Sequence, residues 1–335
     1  AKPKERTSIL VDGERIARIG PDAEVKAYAD QNYRGYKKID ATGLTVMPGL
    51  IDVHVHCSYG DVTSSEELNL YTSAEYRTLR AANNVRKVLR AGVTSFVDPG
   101  GTYNVAVAIR DGIRSGLIEG PRMVAAAQYI STYNGIGSPF PTWVEHPISA
   151  FSVIRNTRDE MVTEVRKQAR DGVDLIKVSG DGDTLRSAES MLGSITFDDL
   201  KAIAEMAHLL GKRCTIHARG ARAATDAARA GFDWVIHASF LTEQDLGVFF
   251  ETRTPINPTL SLLANGAEWG PDLGMPPVII DGFKRELEAA GKILNKAYRG
   301  GIKIMAGTDT GQSAVPYGEW HAREMEHLMH YLGMS

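Results

Sequence analysis

Cysteine is scarce in this chain: 335 residues hold two, Cys57 and Cys214. Two thiols cannot build a disulfide framework, so a small stapled secreted scaffold is excluded. Both read as small buried apolar residues rather than nucleophiles. Long apolar runs are missing as well. None reaches the roughly 20 residues that span a bilayer. No block of Lys and Arg forms a basic tract, and the formal net charge is −3. Neither nucleic acid nor a membrane surface is therefore an expected partner. The opening Ala1-Lys2-Pro3-Lys4 has no signal-peptide apolar core. A reducing, cytoplasmic compartment is the expectation.

What is present is ordinary for a globular enzyme, with 43% hydrophobic and 24% charged residues. The length suits one large barrel and a minor domain. Residues 1–48 read as a partial small β domain. Thr7 to Val11 and Arg15 to Ile19 flank Asp12-Gly13 as a hairpin, and Ile39–Ala41 and Leu44–Met47 read as further strands. From Gly49 apolar strand-like runs alternate with helical stretches, the pattern of βα units. The strand candidates are Ile51–His56, Thr94–Val97, Met123–Ala127, Val173–Val178, Cys214–His217, Trp234–His237, Ile256–Leu260 and Ile302–Ala306. Eight such strands close a (β/α)8 barrel over 49–335. Leu79–Leu89, Met161–Ala169, Leu200–Leu210 and Phe283–Ala297 carry the clearest helical spacing. Two long loops, Tyr129–Ile154 and Asn265–Val278, follow strand ends. Each is either a lid over the barrel mouth or a surface insertion.

The chemistry gathers at strand ends. Residues two apart on a strand point the same way, so His54 and His56 in Gly49-Leu50-Ile51-Asp52-Val53-His54-Val55-His56 project side by side and can share a metal ion. Lys177, His217 and His237 end further apolar runs, and Asp309 follows Ala306-Gly307-Thr308. Alone, each has a plain explanation: a hydrogen-bonded His, a snorkelling Lys, an Asp that caps a helix. Together they place four His, one Lys and one Asp at the ends of predicted strands, where barrel catalysis occurs.

These segments resemble the amidohydrolase superfamily, in the branch with imidazolonepropionase-like and Xaa-Pro or Xaa-Arg dipeptidase-like members. Pro48 to His56 matches its opening motif, Gly172-Val173-Asp174-Leu175-Ile176-Lys177 its lysine strand, and the segments ending in His217, His237 and Asp309 its other ligand motifs. The resemblance runs from about Thr7 to the end of the chain. It implies an α/β fold: a (β/α)8 TIM barrel with a small β-sandwich-like domain. It also implies two divalent ions. His54, His56 and Asp309 would hold the first, His217 and His237 the second, and Lys177, carboxylated by CO2 to N6-carboxylysine, would bridge them. Zn2+ is the expected metal from the imidazole and oxygen donors; Co, Mn and Fe suit them too. In such a site a metal-activated water attacks a carbonyl, with Asp309 as general base.

Two departures stand out. The dipeptidase-like branch has a Gly-Gly-His-Gly loop after its third strand, and here Ile136 stands at the His position of Tyr133-Asn134-Gly135-Ile136-Gly137. Tyr133 or Asn134 is a replacement donor, or the segment is a Gly-rich turn without a catalytic role. That branch also has His-Ala-Tyr where this chain reads His217-Ala218-Arg219. Arg219 either grips a substrate carboxylate or carbonyl, or forms a structural ion pair. Trp143, Trp269 and Met275 on the two loops suit an apolar or aromatic substrate group.

The leading expectation is a binuclear hydrolase of an amide or related C–N bond in a small molecule: an N-acyl amino acid, dipeptide, aryl amide, urea or carbamate. Cyclic-amide opening of the imidazolonepropionase type and a non-catalytic scaffold are the alternatives. Lys177 disfavours a mononuclear deaminase. A homo-oligomer is expected. His321, His327 and His330, on a helix expected over Glu319–Leu332, read as a solvated face. Chains of that family continue beyond this helix, so a C-terminally truncated barrel is the expectation.

Overall fold

The computed structural model of the chain describes residues 4–62, 64–182 and 191–335. It divides into two compact units, 1–48 and 49–335.

In the first unit, β1 (Thr7–Asp12) pairs antiparallel with β2 (Arg15–Pro21), from Thr7 opposite Pro21 to Asp12 opposite Arg15. Gly13 takes the left-handed conformation that the tight turn requires (φ 57°). The chain then enters α1 (Asp22–Asn32), whose Val25 and Ala29 bury Leu10. The strands expected at 39–41 and 44–47 do not form. Asp40 instead accepts from the Thr42 amide (3.0 Å) and hydroxyl (2.6 Å), which fixes a local turn. Ile39, Leu44, Val46 and Met47 are exposed. With no partner strand, alternation alone did not make a ladder.

The second unit is a parallel barrel. β3 (Leu50–Asp52), β4 (Val93–Asp98) and β5 (Arg122–Ala125) form one run. β6 (Tyr129–Ser131), β7 (Ser152–Ile154), β8 (Leu175–Ser179), β9 (Arg213–Gly220), β10 (Trp234–Phe240) and β11 (Ile256–Asn257) form another, in the order β11-β10-β9-β8-β6-β7. The runs join where the Asp174 amide donates to the Ala125 carbonyl (2.8 Å). They join again through residues 304–310: Ile304 bridges Ile256, Val53 N–H donates to Ala306 (3.0 Å), and Asp309 N–H donates to His54 (2.9 Å). The expected eighth strand, Ile302–Ala306, is thus present as one isolated bridge, at Ile304. β8 and nearly all of β9 and β10 are buried, which is why they read as continuous apolar runs.

Helices cover the strands. Besides α2 (Ser65–Asn69), α4 (Val105–Arg114) and α8 (Glu243–Thr252), the helices α3 (Ala74–Arg90), α5 (Arg158–Arg170), α6 (Phe197–Leu209) and α10 (Pro277–Arg299) contain the helical segments read from sequence, save Leu210, which caps α6. α5 starts in a capping box: Thr157 Oγ accepts from the Glu160 amide while Glu160 accepts from that of Thr157. Removing such a cap costs about 1 kcal/mol. α7 (Ala221–Ala230) buries Ala223, Ala224, Ala227 and Ala228 and packs on β9 and β10. Its small side chains bring it close to the two strands that carry His217 and His237.

Both long loops are more structured than expected. Tyr129–Ile154 begins and ends in β6 and β7, paired in parallel with Tyr129 opposite Ser152. Of Asn265–Val278, the first five residues belong to α9 (Leu260–Trp269) and the last two to α10. Among the described residues no helix is long and apolar enough to cross a membrane.

Candidate metal centre

His54 and His56 follow β3 on backbone still held by barrel neighbours: Val55 N–H donates to Val97 (3.0 Å) and His56 N–H to Thr310 (2.8 Å). The period of two survives, and the two Nε2 atoms lie 3.0 Å apart. Asp309 Oδ1 lies 3.3 and 3.1 Å from them. The hydrogen bonds fix where the protons are. His56 Nδ1 faces the Gly100 carbonyl at 2.5 Å, so it carries the hydrogen and Nε2 keeps its lone pair. His54 Nδ1 faces Asn257 Oδ1 at 3.2 Å. The amide of Asn257 donates to the Met305 and Gly307 carbonyls, which orients its oxygen as the acceptor. Nε2 of His54 therefore also presents a lone pair. Two imidazole lone pairs and a carboxylate oxygen converge without a proton between them. That donor set fits a divalent cation.

His217 and His237 form the adjoining half, with Nδ1 and Nε2 2.9 Å apart. The rings of His54 and His237 are 6.0 Å apart between centroids. His237 Nδ1 donates to Thr259 Oγ1 (2.6 Å), whose own hydrogen goes to the Pro258 carbonyl (2.7 Å). His237 Nε2 thus also keeps a lone pair. His217 is different: its Nε2 lies 3.0 Å from Arg219 Nη1 and 3.2 Å from Asp181 Oδ1. His237, Ala238, Thr259 and Asp309 all have positive φ without being glycine. Such conformations gather where a constellation is held against local preference.

Burial sets the charges. It pushes the pKa of His54, His217 and His237 well below the usual histidine range, so these rings are neutral. Burial lowers Lys177, on β8, to about 7, against the pull of Asp309. The same burial raises Asp309, but His54, His56 and Arg219 outweigh it and hold the carboxylate ionised.

Arg219 on β9 forms the ion pair of the two alternatives, and a buried one. Its Nε donates to both oxygens of Glu286 on α10 (2.9 and 3.0 Å), while Ser239 Oγ donates to the same carboxylate (2.7 Å). Its Nη1 still reaches His217. Tyr133 is 54% exposed and Asn134 is exposed, so neither side chain belongs to the buried cluster. Trp143 is exposed. Trp269 ends α9, packed on Trp320 (4.7 Å between centroids) beneath the Arg323 guanidinium. Met275 packs against the core. Cys57 and Cys214 are buried as expected. Burial raises both thiols well above the usual cysteine range.

Two of the last three histidines correct the sequence reading. α11 is Arg323–Leu332, and His321 precedes it, buried, with Nδ1 2.8 Å from Asp52 Oδ2. Asp52 also accepts from the His54 amide (2.9 Å) and the Thr308 hydroxyl (2.7 Å), so His321 belongs to the scaffold beneath the ligands. His327 is buried beside Arg323, and only His330 is solvated. A short helix end carries no sequence signal for a partner some 270 positions away.

Sequence reasoning missed other contributors: Tyr59, which stacks on His56 (4.2 Å, 11°), Tyr129, whose hydroxyl is 3.4 Å from His56 Nε2, and Asp98, Asp181, Asn257 and Thr259. Asp98, at the end of β4, accepts from the Cys57 and Gly100 amides (3.0 and 2.9 Å). It was legible as one more polar strand end; the rest sit outside any motif.

The comparisons with known proteins bear on the fold and the family. An uncharacterized protein of Mycobacterium tuberculosis is 26% identical over 275 residues, 82% of this chain and 66% of its own length. The chain thus spans just under two thirds of that relative. A crystal structure of a Xaa-Pro dipeptidase with bound methionine superposes with a TM-score of 0.79 at 24% identity, over 98% of this chain and 79% of the other. That of A. niger ochratoxinase gives 0.81 at 21%, over 100% and 77%. At such identities these likenesses establish the shared barrel. The amidohydrolase family model matches residues 45–332, from the approach to the first histidine pair through the last helix, and the chain belongs to that family.

Proposed function

We propose that this chain is a binuclear metal-dependent hydrolase of an amide or related C–N bond in a small organic molecule. The observation that carries the reading is the convergence of His54 Nε2, His56 Nε2 and Asp309 Oδ1, proton-free acceptors within hydrogen-bonding range of one another, beside the His217–His237 pair. The first ion would be held by His54, His56 and Asp309 and the second by His217 and His237. Lys177 would bridge them. Bound divalent ions would supply Lewis acidity and an acidified water.

The chain's own residues do the rest. Lys177, lowered to about 7, offers a neutral amine at neutral pH. That amine adds to the carbon of CO2 and loses a proton, which leaves an anionic carbamate oxygen donor in place of a repelling ammonium. Asp309 remains ionised and takes a proton from the attacking water, then delivers it to the leaving nitrogen. Arg219, clamped by Glu286, is a standing positive charge beside His217 and would hold a substrate carboxylate or carbonyl. Two free, buried cysteines support a reducing, cytoplasmic setting, and a homo-oligomer is part of the same reading.

The test joins metal analysis to a hydrolysis screen of N-acyl amino acids, Xaa-Pro and Xaa-Arg dipeptides, aryl amides, phenylureas and carbamates. About two ions per chain and a turnover abolished by chelation are expected. Protein purified without metal, and inert after metal is added, points to the scaffold alternative.

A further inference from the structure

The wall beside His56 is built from aromatic residues. Tyr59, Tyr129 and Phe151 form a buried cluster with Val62 and Leu68. Tyr129 opens β6, its amide donates to the Phe151 carbonyl (3.0 Å), and its ring meets Phe151 edge-on at 5.2 Å. Gly100 makes room for that ring: a Cβ there would come within 2.4 Å of Tyr129 Cδ1 and Cε1. The same glycine's carbonyl fixes the His56 tautomer. Ring position and ligand orientation are thus set by one residue.

The hydroxyl hydrogens can be counted. Tyr59 and Tyr129 are hydrogen-bonded to each other, which uses one of their two hydrogens. For the second, the acceptor the structure offers among the described residues is His56 Nε2, 3.4 Å from the Tyr129 oxygen. That lone pair is the one a cation would take. With Nε2 engaged, a phenolic hydrogen faces the centre without a protein acceptor. An unpaired buried donor is costly unless an incoming atom satisfies it.

We propose that Tyr129, anchored by Tyr59, is a catalytic residue that donates a hydrogen bond to the oxyanion formed when the substrate carbonyl becomes tetrahedral. It does the work for which Tyr133 and Asn134 are candidates on sequence grounds. The identity of that oxygen rests on the hydrolase reading above; the placement of the donor does not. The step moves no proton from Tyr129, and the bond strengthens as charge develops on the oxygen.

The probe is methylphosphonate, a tetrahedral oxyanion, titrated calorimetrically into the metal-loaded protein, with metal content measured in parallel. Tyr129→Phe is expected to weaken binding about tenfold or more, as for a lost hydrogen bond to a charged group, with metal content unchanged. Tyr59→Phe removes only the anchor and is expected to weaken it about threefold, within the worth of one neutral hydrogen bond. Unchanged affinity in Tyr129→Phe overturns the proposal, as does a wild type that does not bind the probe. Loss of metal from Tyr129→Phe also overturns it, because the hydroxyl would then serve the ligands. A blank hydrolysis screen alongside the expected loss of binding sinks the amide reading and leaves the Tyr129 donor standing.

Discussion

His54 and His56 are held by neutral partners, whereas His217 stands between a guanidinium and a buried carboxyl. The first pair takes its orientation from the Gly100 carbonyl and an Asn257 amide that is itself locked to two backbone carbonyls. Its tautomers follow from connectivity. His217 Nε2 faces Arg219 Nη1 in a hydrogen bond, while Asp181 Oδ1, 3.2 Å away, makes none. Nδ1 is free for a metal only when the ring hydrogen sits on Nε2. Asp181 is deeply buried, and its pKa is raised by that burial to about 8. One half of the centre is thus preset by backbone, while the other is set by a charge network that reaches through Arg219 to Glu286 on the outer helices.

Asp309 belongs to the preset half, so its loss should have the largest effect. Asp309→Asn keeps the shape and removes the base. Turnover is expected to fall about 10²–10⁴-fold. Steady-state kinetics with metal content measured alongside decide it. Full metal with full turnover would show that another group takes the proton. The charged half is broken most directly by Glu286→Gln, which leaves Arg219 buried without its counter-ion. Breaking a buried pair costs about 3–5 kcal/mol, so chemical denaturation should show a loss of that order. A loss below about 1 kcal/mol would mean that Arg219 finds another partner.

Anchor removal sharpens the contrast. Asn257→Ala should weaken metal binding about 10–100-fold through His54 alone, as for other groups that orient a ligand from behind. Thr259→Val should do the same through His237. Competition with a chromophoric chelator measures both, and equal affinity to wild type would sink the anchoring account. The smallest effect is a pH slope in the metal-free protein. Lys177 titrates near 7 when folded and near 10.4 when unfolded. Between these values the unfolded state binds more protons, so stability rises with pH, and the contribution is lost as pH falls toward 7. The slope is at most about 1.4 kcal/mol per pH unit for one proton. Lys177→Met should remove it, and denaturation midpoints across pH 7–10 read it out.

How much was legible depended on range. The six candidate ligands were readable because each lies in or just beyond an apolar strand segment, where the period of two is local: His54 and His56 turn together to the centre. Glycine punctuation was equally local. Gly92, Gly172, Gly211, Gly231 and Gly301 all have positive φ between a helix and the next strand. The hairpin around Gly13 formed for the same reason, while 39–41 and 44–47 show that alternation without a partner strand decides nothing.

The sequence by itself determined the alternating α/β plan, the apolar strands of the barrel and the six side chains proposed as metal ligands. These depend on residues within one or two turns of each other. Tertiary structure decided the rest. It paired Arg219 with Glu286, 67 positions away, and drew His321 onto Asp52, 269 positions away. It set the Tyr129 hydroxyl beside His56 and left Tyr133 in solvent. A buried charge or hydroxyl must find a partner wherever the closed barrel brings one, and no local pattern records which residue that will be.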